Sequence, residues 1–197
     1  LTVIVGMTKL LASTKPLTAE QEKFIKKIDL SCENMMGVVK QNLDFSEIEA
    51  SAVSIGDEKF DLKDVLENAL SMLEGKASAK NLEIQTNLHE HQKLPYRGDG
   101  FRIGQIVVNL LSNAIKFTEK GTIKLGVQIK NIDKRIDEVE IEVTDSGIGI
   151  PKDKLDKIFD SYAMAHDVLS KKIGGTGLGL AIVKRLTEIM NGQISVS

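Results

Sequence analysis

Two asparagines and a lysine, Asn109, Asn113 and Lys116, stand four and three residues apart in the stretch QIVVNLLSNAIKFT. On a helix that spacing sets two amides and one ammonium side by side, within reach of a single ligand. Amide oxygens suit a hard cation and an ammonium suits phosphate, so the trio is compatible with a magnesium-bound polyphosphate. An ordinary amphipathic helix with its polar residues in water fits the same spacing. Ile106, Val107, Leu110, Leu111, Ala114 and Phe117 supply the apolar stripe either version needs.

Two glycine-bearing stretches follow. VTDSGIGIP comes directly after the alternating run Val139, Ile141, Val143, which places Asp145 at the end of a strand. A carboxylate there can accept a hydrogen bond from an exocyclic amine, and Gly147 and Gly149 let backbone pass close under a flat ring. A plain strand-to-helix turn is the other reading. GGTGLGL, from Gly174 to Leu180, runs straight into the apolar AIVKRLTEIM. A glycine-rich turn at a helix N-terminus offers N–H groups and a favourable dipole to an anion. Its spacing is neither that of a P-loop nor that of the dinucleotide fingerprint.

These residues need a scaffold, and the chain of 197 residues has room for one full domain and a smaller element. Lys and Arg total 26 against 28 Asp and Glu, a balance that gives no electrostatic footprint for nucleic acid. The lone Cys32 cannot form an internal disulfide, which points to a reduced, cytoplasmic setting. No apolar run has the length of a membrane span and no signal peptide is recognisable, so no membrane contact is expected of this stretch of chain.

Val3, Ile4, Met7, Leu10 and Leu11 make a helical stripe that stops before Pro16, and Thr18 with Gln21 forms a capping box that starts a second helix. In it Phe24, Ile28, Ser31, Met35, Val38, Asn42 and Phe45 recur on steps of four and three, widened by Ile25, Cys32, Met36, Val39 and Leu43. That face suits pairing with a copy of itself in a four-helix bundle, or packing on the chain's own second domain. The boundary is placed at 50/51. Beyond it a helix is expected from Phe60 to Ala79, a strand at LEIQTNL, a polar loop from Asn87 to Gly98, and Asp99 as cap of the central helix. GTIKLGVQIK and DEVEIEV then read as a hairpin turning at NIDKRI. The final helix, Leu178 to Asn191, is expected to end at Gly192 before a strand QISVS. No further His or Cys accompanies His89 and His91, and they read as loop residues.

NLLSNAIKFT, DSGIGIP, the pair Ile158-Phe159 and GGTGLGLAI, in this order, resemble the N, G1, F and G2 boxes of sensor histidine kinases, members of a wider ATPase group with the DNA gyrase B subunit and heat-shock chaperones. The resemblance implies an α/β two-layer sandwich, the Bergerat ATP-binding fold, over 51–197, preceded by an antiparallel helical hairpin over 1–50. It implies ATP and Mg2+ as ligands, with Asn109, Asn113, Lys116, Phe117, Asp145, Gly147, Gly149, Ile150, Gly175, Thr176, Gly177, Leu178 and Gly179 around the nucleotide and Asn109 and Asn113 at the metal, or one of the two there and the other at phosphate. The hairpin would form a homodimer, and a response-regulator receiver domain would take the phosphoryl group. The phosphoacceptor histidine would precede Leu1, because His89, His91 and His166 lie in no histidine box. Where a typical F box continues Glu-Pro-Phe, this one has Asp160-Ser161-Tyr162. Hydrolytic relatives carry a glutamate where Asn109 stands, and an amide cannot act as that base. A hydrolytic ATPase and a non-catalytic dimerisation or nucleotide-sensing module are the competing readings.

Overall fold

Thr18 and Gln21 exchange hydrogen bonds, the Thr18 N–H donating to Gln21 Oε1 at 2.8 Å and the Gln21 N–H to Thr18 Oγ1 at 3.2 Å. This is the expected capping box, and it starts α2 (Ala19–Glu49) after α1 (Thr2–Ser13) and the proline-bearing turn. The computed structural model describes residues 2–14, 16–49, 54–88, 94–133, 136–161 and 177–197. They divide into two units, Leu1–Glu47 and Ile48–Ser197. In the first, Thr8, Ile25 and Cys32 are buried, while Val3, Met7, Leu10, Phe24, Met35 and Leu43 are each more than half exposed. Among the described residues no helix is long and apolar enough to cross a membrane.

The second unit is a mixed α/β structure. Its elements are β1 (Glu58–Asp61), α3 (Leu62–Ala79), β2 (Glu83–Thr86), β3 (Pro95–Gly98), α4 (Gly100–Phe117), β4 (Thr122–Asp133), β5 (Ile136–Asp145), a 3-10 turn Lys152–Lys157 and α5 (Gly179–Ile189). β2 runs parallel to β4 and β5 antiparallel to it, in the order β2-β4-β5; β1 and β3 form a separate antiparallel pair. Ile123, Leu125 and Val127 point alternately from β4 into a core shared with Leu66 and Leu73 of α3 and Val107 and Leu111 of α4. Period-two burial on β4 against helical burial on α3 and α4 is what two apposed layers demand.

Four expectations need correction. The presumed loop from Asn87 to Gly98 ends in β3, where Phe60 pairs with Tyr96 and Asp61 with Pro95. Pro95 and Gly98 disguise it, and a proline is tolerated here because the ladder is short and at an edge. For the same reason Phe60 belongs to β1, and α3 begins at Leu62, capped by the Asp61 carboxylate accepting from the Lys63 N–H. β4 and β5 run into the presumed turn NIDKRI as far as Asp133 and Ile136, with a register shift between Asn131 and Asp133. Finally, α5 ends on Asn191 in the left-handed region (φ 58°), not on Gly192, and residues 193–197 join neither sheet. Asn81 (φ 54°) ends α3 in the same way, with the Leu82 N–H reaching back to the Ala77 carbonyl. Asparagine is the usual second choice after glycine for this cap. Alternation in QISVS assigns faces, whereas a strand also needs a partner edge.

A side-chain hydrogen bond links the two sheets. The Tyr96 hydroxyl on β3 donates to the Asp137 carboxylate on β5 at 2.9 Å, and Asn131 Nδ2 donates to the other carboxylate oxygen at 2.8 Å. Burial first, then the bond to Asp137 and its charge, push the phenol up to about 12.

Candidate functional site

α4 is held at both ends. At its start the Asp99 carboxylate accepts from the Arg102 N–H at 2.9 Å and from the Gly56 N–H at 2.8 Å, so the expected cap also pins an upstream segment. At its end the Lys80 ammonium, at the close of α3, donates to the carbonyls of Ile115 (2.6 Å), Lys116 (3.0 Å) and Thr118 (3.3 Å). Between these anchors Val107, Leu111, Ala114 and Ile115 are buried. The expected stripe is thus shifted toward Ile115, with Ile106, Leu110 and Phe117 only half-buried.

Asn109, Asn113 and Lys116 are all half-buried on α4. Asn109 Nδ2 donates to the Gln105 carbonyl at 2.9 Å, which fixes the amide and turns its oxygen toward α5. A methyl group on Gly179, the first residue of α5, would stand 3.3 Å from Asn109 Oδ1 and 3.7 Å from Asn113 Nδ2. The start of α5 therefore lies against both asparagines, and a larger residue would press on them. Gly177 precedes it, and Leu178 is fully buried with its carbonyl accepting the Ile182 N–H at 2.9 Å. Burial lowers the Lys116 ammonium below the usual lysine value, and its Nζ sits 4.8 Å from the centre of the Phe117 ring.

The aspartate-glycine loop meets the C-terminal end of α4. Asp145 closes β5, and its Oδ1 accepts the Gly147 N–H at 2.8 Å. The Ile148 N–H donates to the Phe117 carbonyl at 3.4 Å, and a methyl group on Gly147 would stand 2.5 Å from that same oxygen. Only glycine lets the loop lie so close. Ser146 ties the loop to β4 through the Thr122 N–H and carbonyl, at 2.9 and 3.2 Å. Gly149 and Ile150 follow, both exposed.

Two of the three motifs thus touch α4 at different places, the loop at Phe117 and the start of α5 at Asn109 and Asn113. Gly175 and Thr176 lie outside the described residues, as do His89, His91, Tyr162, His166, Lys171 and Lys172. Reading the sequence missed Lys80 and Ser146. Lys80 looks like a cation at the end of its own helix, and nothing local signals carbonyls 35 residues away. Chemically the arrangement offers amide oxygens, an ammonium and a carboxylate around one helix. Among the described residues no three His, Cys, Asp or Glu side chains gather as a metal site. A cation here would rest on amide oxygens and on the ligand's own phosphates, and the fixed Asn109 oxygen fits a hard ion.

Comparison with known proteins bears on this geometry. Residues 98–197 match the histidine kinase-, DNA gyrase B-, and HSP90-like ATPase family. The chain is 38% identical over 193 residues to the sensor protein GacS of Pseudomonas syringae pv. syringae, covering 98% of this chain and 21% of that protein. It is 33% identical to the signal transduction histidine-protein kinase BarA of Escherichia coli K12, covering 98% of this chain and 21% of BarA. It therefore spans about a fifth of the length of the curated relatives it matches. Among solved structures, full-length ShkA in complex with AMPPNP superposes with a TM-score of 0.73 at 29% identity, over 95% of this chain and 38% of that one.

Proposed function

This chain belongs to the histidine kinase-, DNA gyrase B-, and HSP90-like ATPase family, and on that premise we propose that it binds Mg-ATP around α4 and transfers the γ-phosphoryl group to a protein histidine. The observation that carries the reading is the approach of Gly179 to Asn109 and Asn113 on the helix whose other end receives the Asp145 loop. AMPPNP, the ligand named with ShkA, is an ATP analogue.

Asp145 accepts a hydrogen bond from the adenine amine, beneath which the Gly147 turn lies flat. Lys116 balances phosphate charge, and the dipole at the start of α5 adds to it. The oxygens of Asn109 and Asn113 would hold the magnesium ion, which supplies charge neutralisation at the phosphates. Gly149, Ile150, Gly175, Thr176, Gly177, Leu178 and Gly179 complete the walls. Asn109 accepts no proton from water at neutral pH, so the site positions ATP and does not activate a hydrolytic water. The nucleophile is then a histidine nitrogen: it forms the N–P bond as the bond to the ADP oxygen breaks. That histidine lies outside residues 1–197, on the first helix of a dimerising hairpin that α1 and α2 continue. The exposed apolar faces of α1 and α2 pair with a second copy, and a response-regulator aspartate in a receiver domain takes the phosphoryl group onward. The setting proposed for this chemistry is the cytoplasm.

Calorimetric titration with ATP and magnesium tests the binding step. Saturable binding by the native chain, abolished by Asn113→Ala or Asp145→Ala, is expected. Incubation with γ-labelled ATP and a histidine-bearing hairpin should then give acid-labile protein phosphate and little free phosphate. Steady phosphate release without an acceptor would replace this reading by a hydrolytic one. Absence of any nucleotide binding would end it.

A further inference from the structure

We infer that Lys80 is a positioning residue for the nucleotide site, acting through the carbonyls that end α4. This rests on the reading of the site given above. The last turn of a helix leaves carbonyls without an intrahelical partner, and here they are divided between two users. Lys80 takes the carbonyls of Ile115, Lys116 and Thr118. The Phe117 carbonyl, in the midst of these, accepts instead the Ile148 N–H of the aspartate-glycine loop.

An ammonium has three protons to donate and no acceptor, so the three carbonyls use its full capacity. Its grip sets the rotation of the last turn of α4, and with it the direction of the Phe117 oxygen. That oxygen stands 2.5 Å from the place a side chain on Gly147 would occupy, so the loop has almost no slack against it. The Gly147 N–H is in turn bonded to Asp145 Oδ1 at 2.8 Å. The path from Lys80 to the Asp145 carboxylate thus runs through its bonds to α4, the backbone of the last turn that carries Phe117, one close contact and the Gly147 bond, and Lys116 sits within the same turn. Lys80 itself touches neither the loop nor the asparagines in any bond described above. Its position is set by the end of α3, where its backbone N–H bonds the Ala77 carbonyl and Asn81 turns the chain away.

Lys80→Met keeps the aliphatic stem and removes the donors; Lys80→Arg restores donors. Two readouts separate positioning from mere stability. In the nucleotide-free protein, amide hydrogen exchange at Ile148 should accelerate in Lys80→Met while core amides of β4 keep native protection. With nucleotide, the Kd for Mg-ATP should rise about tenfold in Lys80→Met, the scale of losing one charge-assisted bond, and recover in part in Lys80→Arg. Native exchange at Ile148 in Lys80→Met overturns the inference, as does loss of protection at every core amide together. The exchange arm needs no nucleotide, so it decides the matter even if ATP fails to bind. Binding that is lost in Asn113→Ala but unchanged in Lys80→Met sinks this inference and leaves the site reading intact.

Discussion

α2 and α4 read alike as sequences, each with a broad apolar stripe backed by polar residues, and they end in opposite situations. On α4, Val107 and Leu111 are wholly buried against the sheet and α3. On α2, Phe24, Met35 and Leu43 remain 53%, 54% and 59% exposed. Amphipathicity states that a face is to be covered and is silent about what covers it. α4 finds its cover within the chain, where β4 and α3 bring Ile123, Leu125 and Leu66 to it. α2 leaves the greater part of its face open, which is the physical ground for the proposed pairing with a second copy.

The largest effect should come from truncating one leucine on each helix. Leu111→Ala removes a fully buried side chain and is expected to cost about 3 kcal/mol in urea unfolding of the second unit. Leu43→Ala should cost at most about 0.5 kcal/mol at low protein concentration, the usual scale for a surface position. If a second copy covers α2, the cost of Leu43→Ala grows with protein concentration. Equal, concentration-independent costs would erase the contrast between the helices.

A charge placed on the open face comes next. The double substitution Met35→Lys with Leu43→Lys should weaken self-association by about a hundredfold, as expected for charges buried unpaired at an interface centre. Sedimentation would show monomer where the native chain shows dimer, with Mg-ATP affinity unchanged. A native chain that is monomeric at every concentration would refute the pairing itself.

What the sequence disclosed follows the range of the interaction responsible. Capping at Thr18 and at Asp99 was legible because donor and acceptor are three residues apart. The alternation of β4 and β5 was legible because both ride on one covered face. The β1-β3 ladder was not, since Phe60 finds Tyr96 across a whole helix and the pairing residues include a proline and a glycine. Lys80 belongs to the same class. The polar trio was legible as a trio; that Gly179 would close on two of its members while Lys80 and the Phe117 carbonyl secured its far end was not.

Lys116 gives a pH test confined to the α4 side of the comparison. Burial holds its pKa below the usual lysine value of 10.5. In the window between the lowered value and 10.5 the unfolded chain binds more protons than the folded one, so this group's contribution to stability rises with pH there. A bound polyphosphate favours the charged form and reverses the trend for the ligand: affinity for Mg-ATP should fall as pH rises through the lowered pKa. Calorimetry in two buffers of different ionisation enthalpy should register proton uptake on binding in that range, and Lys116→Met should abolish it. Unchanged uptake in that variant would assign the proton elsewhere.

The smallest effect separates the two helices by their caps. Asp99 is half-buried and accepts two N–H groups, from Arg102 and Gly56, 43 residues apart from its own position in the latter case. Thr18 is exposed, and its hydroxyl accepts the N–H of Gln21, three residues on. Removing Asp99 leaves two donors short of a partner in a partly dry place, whereas water can replace the Thr18 hydroxyl. Asp99→Ala should therefore cost about 2 kcal/mol and Thr18→Ala about 0.5 kcal/mol, the two ends of the range for such caps. Asp99→Asn should recover most of the loss, since an amide oxygen can still accept. Equal costs for the two alanine variants would mean that the tie to Gly56 adds nothing, and that α4 is held at its start no more firmly than α2.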